Sequence, residues 1–153
     1  MNGEIELCEN QASVAQIAEH LRSCDYAFVP PLSRRVSIDD YARRIIDRAD
    51  RFEAWEGGEL VGLVAAYCND VKSRVAFITS VSVLFRWQGK GIASQLVSRC
   101  TDHANSLGFS RIELEVGQMN AGAIALYNKH GFVIGKENGG ASTMYLNIRS
   151  EQI

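Results

Sequence analysis

Val81-Ser82-Val83-Leu84-Phe85-Arg86-Trp87-Gln88-Gly89-Lys90-Gly91-Ile92-Ala93-Ser94 is the stretch that decides how this chain folds. It joins the end of an apolar, β-branched run that begins at Val75 to a run in which Ile92, Leu96, Cys100, Ala104 and Leu107 recur at helical spacing. A strand that passes through a glycine-containing turn into a helix is a candidate anion cradle. The free N–H groups of the turn and of the helix start can hold a phosphate without any cationic side chain. The same glycines would also serve a bare turn. The pattern is not G-x-x-x-x-G-K-[ST]. Nor is it G-x-G-x-x-G, because Ser94 stands where the third glycine is wanted.

The pattern extends in both directions from this turn. Upstream, Ile5 and Leu7 alternate with glutamates as a short strand. Val14, Ile17, Ala18 and Leu21 share a helical face, which predicts a helix over 13–23. A loop over 25–35 holds both prolines, and Ser37 is placed to cap a second helix. Phe52 to Trp55 and Leu60 to Cys68 read as strands joined by Glu56-Gly57-Gly58-Glu59, a hairpin signal. Downstream, Gly108 stops the long helix and Arg111 to Val116 is a strand. Ala121 to His130 is a short helix, and strands begin at Phe132 and Ala141. The order is β-α-α-β-β-β-α-β-α-β-β. The fold class it predicts is α/β, a mixed (α+β) sheet with antiparallel hairpins and one strand–helix–strand unit. The 153 residues, without repeats or a linker, fit one domain spanning 1–153.

Composition narrows the function classes. A net charge of −2 argues against a protein that works by gripping nucleic acid. No run approaches the roughly 18 apolar residues of a membrane span, and the acidic N-terminus lacks a signal-peptide core. The expected location is the cytoplasm, with neither a nucleic acid nor a membrane partner. Cys8, Cys24, Cys68 and Cys100 are widely spaced without a C-x-x-C pair, so reduced thiols are expected and no metal site. The spacing of His20, His103 and His130 gives them no ligand role.

Two further constellations carry chemistry. In Ile112-Glu113-Leu114-Glu115-Val116 the two carboxylates share one face of a strand, with Glu115 near its carboxyl end, where ligands collect in parallel sheets. A solvated, salt-bridged strand face explains the pattern as well. Asn120 stands at a helix N-cap position, and Tyr127 lies two turns on, near the same face as Ala123. A core tyrosine is the alternative there.

Taken together, Val81-Ser82-Val83, Gln88-x-x-Gly91-x-Ala93, Leu114-Glu115-Val116 and Asn120-x-x-Ala123-x-x-Leu126-Tyr127-x-x-x-Gly131-Phe132 resemble the GNAT superfamily of acetyl-CoA-dependent N-acetyltransferases. The L-E-V-x-x-x-N spacing resembles its ribosomal-protein N-terminal acetyltransferase branch. The resemblance implies the acyl-CoA N-acyltransferase fold, with the sheet splayed between strands 75–83 and 111–116. It implies acetyl-CoA as co-substrate, and a small-molecule or peptide amine as acceptor. It also implies that main-chain groups of Val81, Ser82 and Val83 meet the pantetheine and thioester. N–H groups from Gly89, Lys90, Gly91, Ala93 and Ser94 would take the pyrophosphate, with Gln88 and Ile92 in the same turn. Asn120 and Ala123 would face the cofactor, Tyr127 would protonate the departing thiolate, and Glu115 would be the general base. Phe85 departs from the family pattern, where proline is common.

The acceptor is not assigned by any motif. Tyr26 to Leu32 stands where the family shapes the acceptor side, and is equally a helix connector. Seven arginines against five acids over 22–51 suit an anionic acceptor or a solvated helix face. The terminal strands are available for a homodimer. A non-catalytic acyl-CoA-binding module is the alternative function.

Overall fold

A computed structural model describes residues 4–28 and 30–148. Seven strands run in chain order: β1 (Glu6–Glu9), β2 (Asp50–Glu56), β3 (Glu59–Tyr67), β4 (Val75–Val83), β5 (Arg111–Gly117), β6 (Val133–Asn138) and β7 (Ala141–Asn147). The helices are α1 (Val14–Cys24), α2 (Ile38–Arg48), α3 (Ile92–Ser106) and α4 (Ala121–Lys129). This is the order the sequence predicts. The loop expected over 25–35 is instead built around two 3-10 turns, Asp25–Ala27 and Leu32–Arg34. Asp25 holds them together, its carboxylate accepting from the Ser33 N–H at 2.8 Å and the Ser33 hydroxyl at 2.7 Å. Val29 of that segment lies outside the described residues.

Local chemistry sets the element ends. Ser13 and Gln16 form a reciprocal capping box on α1, and Ser37 accepts from the Asp40 N–H to cap α2. Gly57 and Gly58 take φ of 56° and 84°, both left-handed, as a two-residue hairpin turn matched to strand twist requires.

The strands form one sheet in the order β1-β2-β3-β4-β5-β7-β6. All neighbouring pairs are antiparallel except β4 and β5, whose parallel pairing needs the α3 crossover. That pairing is short. It runs from Val75↔Arg111 to Ile78↔Leu114 and stops, although β4 continues to Val83 and β5 to Gly117. The β3–β4 register explains where it stops. Ala65 faces Ser80 while Ala66 faces Ile78, so Thr79 is the extra residue of a bulge. A bulge bends its strand and raises the local twist, which turns β4 away from β5 at that residue. By contrast, β5 pairs with β7 over its whole length.

Two apolar clusters sandwich the sheet. Ile92, Leu96, Val97 and Cys100 of α3 pack on Phe52, Ala54, Val61, Ile112 and Leu114. Ile17 and Leu21 of α1 and Ala42 and Ile45 of α2 pack on Leu60, Leu63 and Ala65. Gly62 lets α3 lie close to β3, since a Cβ there would stand 2.8 Å from Ile92 Cγ2 and 3.3 Å from Leu96 Cδ1. No helix among the described residues is long and apolar enough to cross a membrane.

Candidate active site

The gap between β4 and β5 exposes main chain. The Leu84 N–H donates to Val61 O at 2.9 Å. In an antiparallel ladder the residues that bond one neighbour alternate with those that face the other side. Counting back along the register from Leu84 and Val61, Ser82 and Ser80 turn their main-chain groups toward β3. Val81 and Val83 therefore turn theirs toward the space that β5 has left. Val83 O accepts from the Gln88 side-chain amide at 3.1 Å, so Gln88 folds the turn back onto the strand end. The Ser82 side chain lies on the opposite face, 2.9 Å from His20 Nε2.

The turn itself needs its glycines for backbone reasons. Gly89 and Gly91 have φ of 78° and 82°, and a Cβ at either meets nothing within 4 Å. Their requirement is conformational, not steric. Gly91 is the N-cap of α3 and supplies no side-chain cap. The first N–H groups of α3, at Ile92, Ala93 and Ser94, precede the helix ladder, whose first bond runs from the Gln95 N–H to Gly91 O. Lys90 is exposed on the turn. Ser94 Oγ lies 2.9 Å from His130 Nε2, which links the first turn of α3 to the end of α4.

The β5–α4 unit carries the other candidates. Ile112, Leu114 and Val116 enter the α3-side core. Glu113 and Glu115 therefore share the opposite face, as the period-two reading expects. Glu113 is half-buried with its carboxylate 3.2 Å from Arg111 Nε, and the Arg111 guanidinium lies 3.9 Å over the Tyr145 ring. Glu115 is exposed and faces Thr143 across the ladder. Asn120 caps α4, its Oδ1 accepting from the Ala123 N–H at 3.2 Å. Its carbonyl oxygen is thus committed to the helix, and its NH₂ is the end left for a ligand. Ala123 packs half-buried against the core. Tyr127 is 7% exposed with its ring 6.0 Å from that of Phe132. Burial pushes its phenol up to about 12. The sequence suggests an ordinary tyrosine acidity, and the surrounding core corrects that upward.

Sequence reasoning misses a buried cluster beside this edge. His20 Nδ1 lies 2.9 Å from Leu60 O, an acceptor only, so the ring proton sits on Nδ1 and Nε2 accepts from the Ser82 hydroxyl. Only the fold brings residues 20, 60 and 82 together. The buried thiols offer no nucleophile in its place. Burial pushes Cys24 up to about 11 and Cys68 up to about 12, and raises Cys100 as well. None is a ready nucleophile. Of the seven arginines over 22–51, Arg22 pairs with Asp39, Arg43 with Asp40 and Arg51 with Glu53.

A strand edge opened by a bulge, followed by a left-handed glycine turn at a helix start, can be compared with known proteins. Residues 14–132 match the model of the Acetyltransferase (GNAT) family. N-alpha-acetyltransferase MAK3 of Arabidopsis thaliana is 33% identical over 86 residues, 56% of this chain and 45% of that protein. The chain spans about half the length of the first curated relatives it matches. The ribosomal-protein-S18-alanine N-acetyltransferase of Escherichia coli superposes with a TM-score of 0.77 at 21% identity, covering 97% of this chain and 96% of that one. The yncA acetyltransferase of Salmonella typhimurium, solved with acetyl-CoA, superposes at 0.74 with 20% identity and 96% coverage of both chains. The chain belongs to the GNAT acetyltransferase family.

Proposed function

We propose that this chain, as one domain over 1–153, transfers an acetyl group from acetyl-CoA to a primary amine by direct attack within a ternary complex. The observation that carries this reading is the unpaired β4 edge at Val81 and Val83, continuous with the left-handed turn at Gly89 and Gly91. An extended pantetheine arm can bond to such an edge as an added strand does. The free N–H groups of the turn and of α3 suit a pyrophosphate. Direct attack is favoured over an acyl-enzyme because burial keeps Cys24, Cys68 and Cys100 protonated.

Each residue has a distinct task in this reading. An alkyl amine is free base in only about one molecule in 10³ at neutral pH, so its proton must be taken up as it attacks. Glu115 lies on the α1/α2 face and takes that proton, directly or through water. The main-chain N–H near Val83 steadies the developing oxyanion. Tyr127 belongs to the cluster on the α3 face, so acid and base work from opposite faces of the sheet. With its phenol at about 12, complete proton transfer to a thiolate of pKa ~8.5 is uphill by roughly 3.5 units, on the order of 5 kcal/mol. Tyr127 therefore acts mainly as a hydrogen-bond donor to the leaving sulfur, and solvent completes the protonation.

The deciding experiment is free-thiol release from acetyl-CoA across a panel of small-molecule amines and peptide N-termini. Thiol release with at least one amine is expected, and Glu115→Gln should lower its rate at neutral pH by ~10²-fold. CoA binding without turnover on the whole panel would instead identify a binding module. An unchanged rate in Glu115→Gln would move the base elsewhere.

A further inference from the structure

A second constellation lies at the other end of α3. Asp50 opens β2, Cys68 follows the last residue of β3, and His103 is in the last turn of α3. They are far apart in sequence, yet one ligand atom from each lies within 4.8 Å of the others. His103 Nε2 is 2.9 Å from Asp50 Oδ2. Eleven residues of helix separate His103 from Ile92, so the cluster stands about 17 Å along α3 from the glycine turn. The acetyl-transfer chemistry does not use it.

We propose that Asp50, Cys68 and His103 form a binding site for a divalent cation of borderline softness, with zinc the best match. One carboxylate oxygen, one imidazole nitrogen and one sulfur is a set that hard cations such as Mg²⁺ and Ca²⁺ do not select. Tetrahedral zinc at bond lengths of 2.0–2.3 Å puts neighbouring ligand atoms about 3.3–3.8 Å apart. The 2.9 Å contact must open by roughly half an ångström and the longest separation must close by about one. Side-chain rotation covers both.

Access and surroundings fit such a site. The side chains of His103 and Asp50 are 30% and 37% exposed, so water can complete the coordination. An open depression of about 510 Å³ reaches His103 between Glu9, Arg99, Asp102 and Ser106, where two carboxylates outnumber the one guanidinium. The Phe52 ring meets the imidazole edge-on at 5.5 Å and holds it in place. Loading would release the thiol proton to solvent, and the Nε2 proton now given to Asp50 would move to Nδ1, so that the neutral imidazole binds through the Nε2 lone pair. The bound ion would tie the ends of β2 and β3 to the C-terminal half of α3, whose N-terminal end carries the cofactor turn.

The test uses the full chain, stripped with a chelator and then titrated with Co²⁺ and with Zn²⁺. One equivalent of Co²⁺ should produce a thiolate-to-metal charge-transfer band together with visible bands of tetrahedral intensity. Zn²⁺ should displace it. Zinc at about 100 times its Kd should raise Tm by roughly 5–10 °C. Cys68→Ser should abolish the charge-transfer band, and His103→Gln should weaken binding at least ~10–100-fold, the loss that outer-shell changes alone can cause. Cys8→Ser, which removes a thiol elsewhere, should leave binding unchanged. The absence of the band in the unmodified chain overturns the proposal without any variant. So does a band that survives Cys68→Ser, or one that is lost in Cys8→Ser.

Discussion

The two faces of the sheet solve their polar problems differently. In the proposed reading, the groups offered to acetyl-CoA by the β4 edge at Val81 and Val83 and by the start of α3 are main chain. On the α1/α2 face many of the polar groups are buried side chains that bond one another, although Tyr67 Oη and Ser80 Oγ are buried without a hydrogen-bond partner. Glu53, fully buried, accepts from the Gln11 and Ala12 N–H groups, the Arg51 guanidinium and the Trp55 indole. His20 bonds Leu60 and Ser82, and the Tyr41 hydroxyl reaches Thr79. Main-chain recognition costs little when one side chain changes, provided that the backbone can still take its angles. A closed side-chain network loses several partners at once. Substitutions on the first, α3/α4 face should register in activity, and those in the buried network of the second in stability; exposed Glu115, on the second face but outside that network, belongs with the first group.

The largest effect should come from the second face. Glu53→Ala takes the carboxylate from the Arg51 charge and the acceptor from the buried Ala12 N–H and the part-buried Gln11 and Trp55 N–H groups, and should cost about 3–5 kcal/mol in urea denaturation. Acetyl-CoA affinity of the folded fraction should be unchanged. A loss below about 1 kcal/mol would mean that this face is not held by its network. Tyr127→Phe comes next, on the first face. Turnover should fall by ~10²-fold with cofactor affinity nearly intact. Full activity in that variant would take Tyr127 out of the reaction. Gly91→Ala is smaller. With nothing within 4 Å of the new Cβ, its whole effect is the strain of φ 82° in an L-residue, about 1–2 kcal/mol. If the strain is relieved by reshaping the turn, acetyl-CoA should bind on the order of 10-fold more weakly. A variant that loses Tm but keeps affinity would show that the turn holds its shape without ligand contact.

The same contrast explains what was legible in the sequence. The α3 face was readable because its devices leave local marks. Gly89 and Gly91 are needed for left-handed angles, Asn120 for a cap, and the β-branched run for a strand, and each is a requirement of its own segment. The splay was implied by family resemblance alone. Its cause, the bulge at Thr79, depends on register with β3 and has no local signature. The α1/α2 face joins residues such as 12 and 53, 20 and 82, or 41 and 79, and no spacing rule links them. The Asp50–Cys68–His103 cluster was invisible for that reason. Spacing rules find metal sites built on one turn or helix, and this one draws on three elements. The loop over 25–35 was read as irregular because two prolines break every period, yet Asp25 organises it through a contact eight residues away.

The smallest effect sharpens the comparison on the buried face, through pH. Burial lowers the pKa of His20 from its ordinary value of 6.5, although the Leu60 and Ser82 contacts and the Glu59 charge partly oppose this. The unfolded chain then binds more protons than the folded one between the depressed value and 6.5. Stability therefore rises with pH through that window, is complete above it, and is lost as pH falls below about 6.5. His130, depressed by burial and by Lys129, contributes with the same sign. Asp25 and Asp70, held down by Ser33 and Ser73, act only as pH falls below their ordinary 3.8, so the windows are separate. Urea midpoints measured from pH 7.5 to 5 should fall with pH in the unmodified chain. The slope should be reduced in His20→Gln, which can still donate to Leu60 O but cannot take up a proton, and reduced further when His130→Gln is added. A slope unchanged by His20→Gln would place the proton on another group and leave His20 as packing alone.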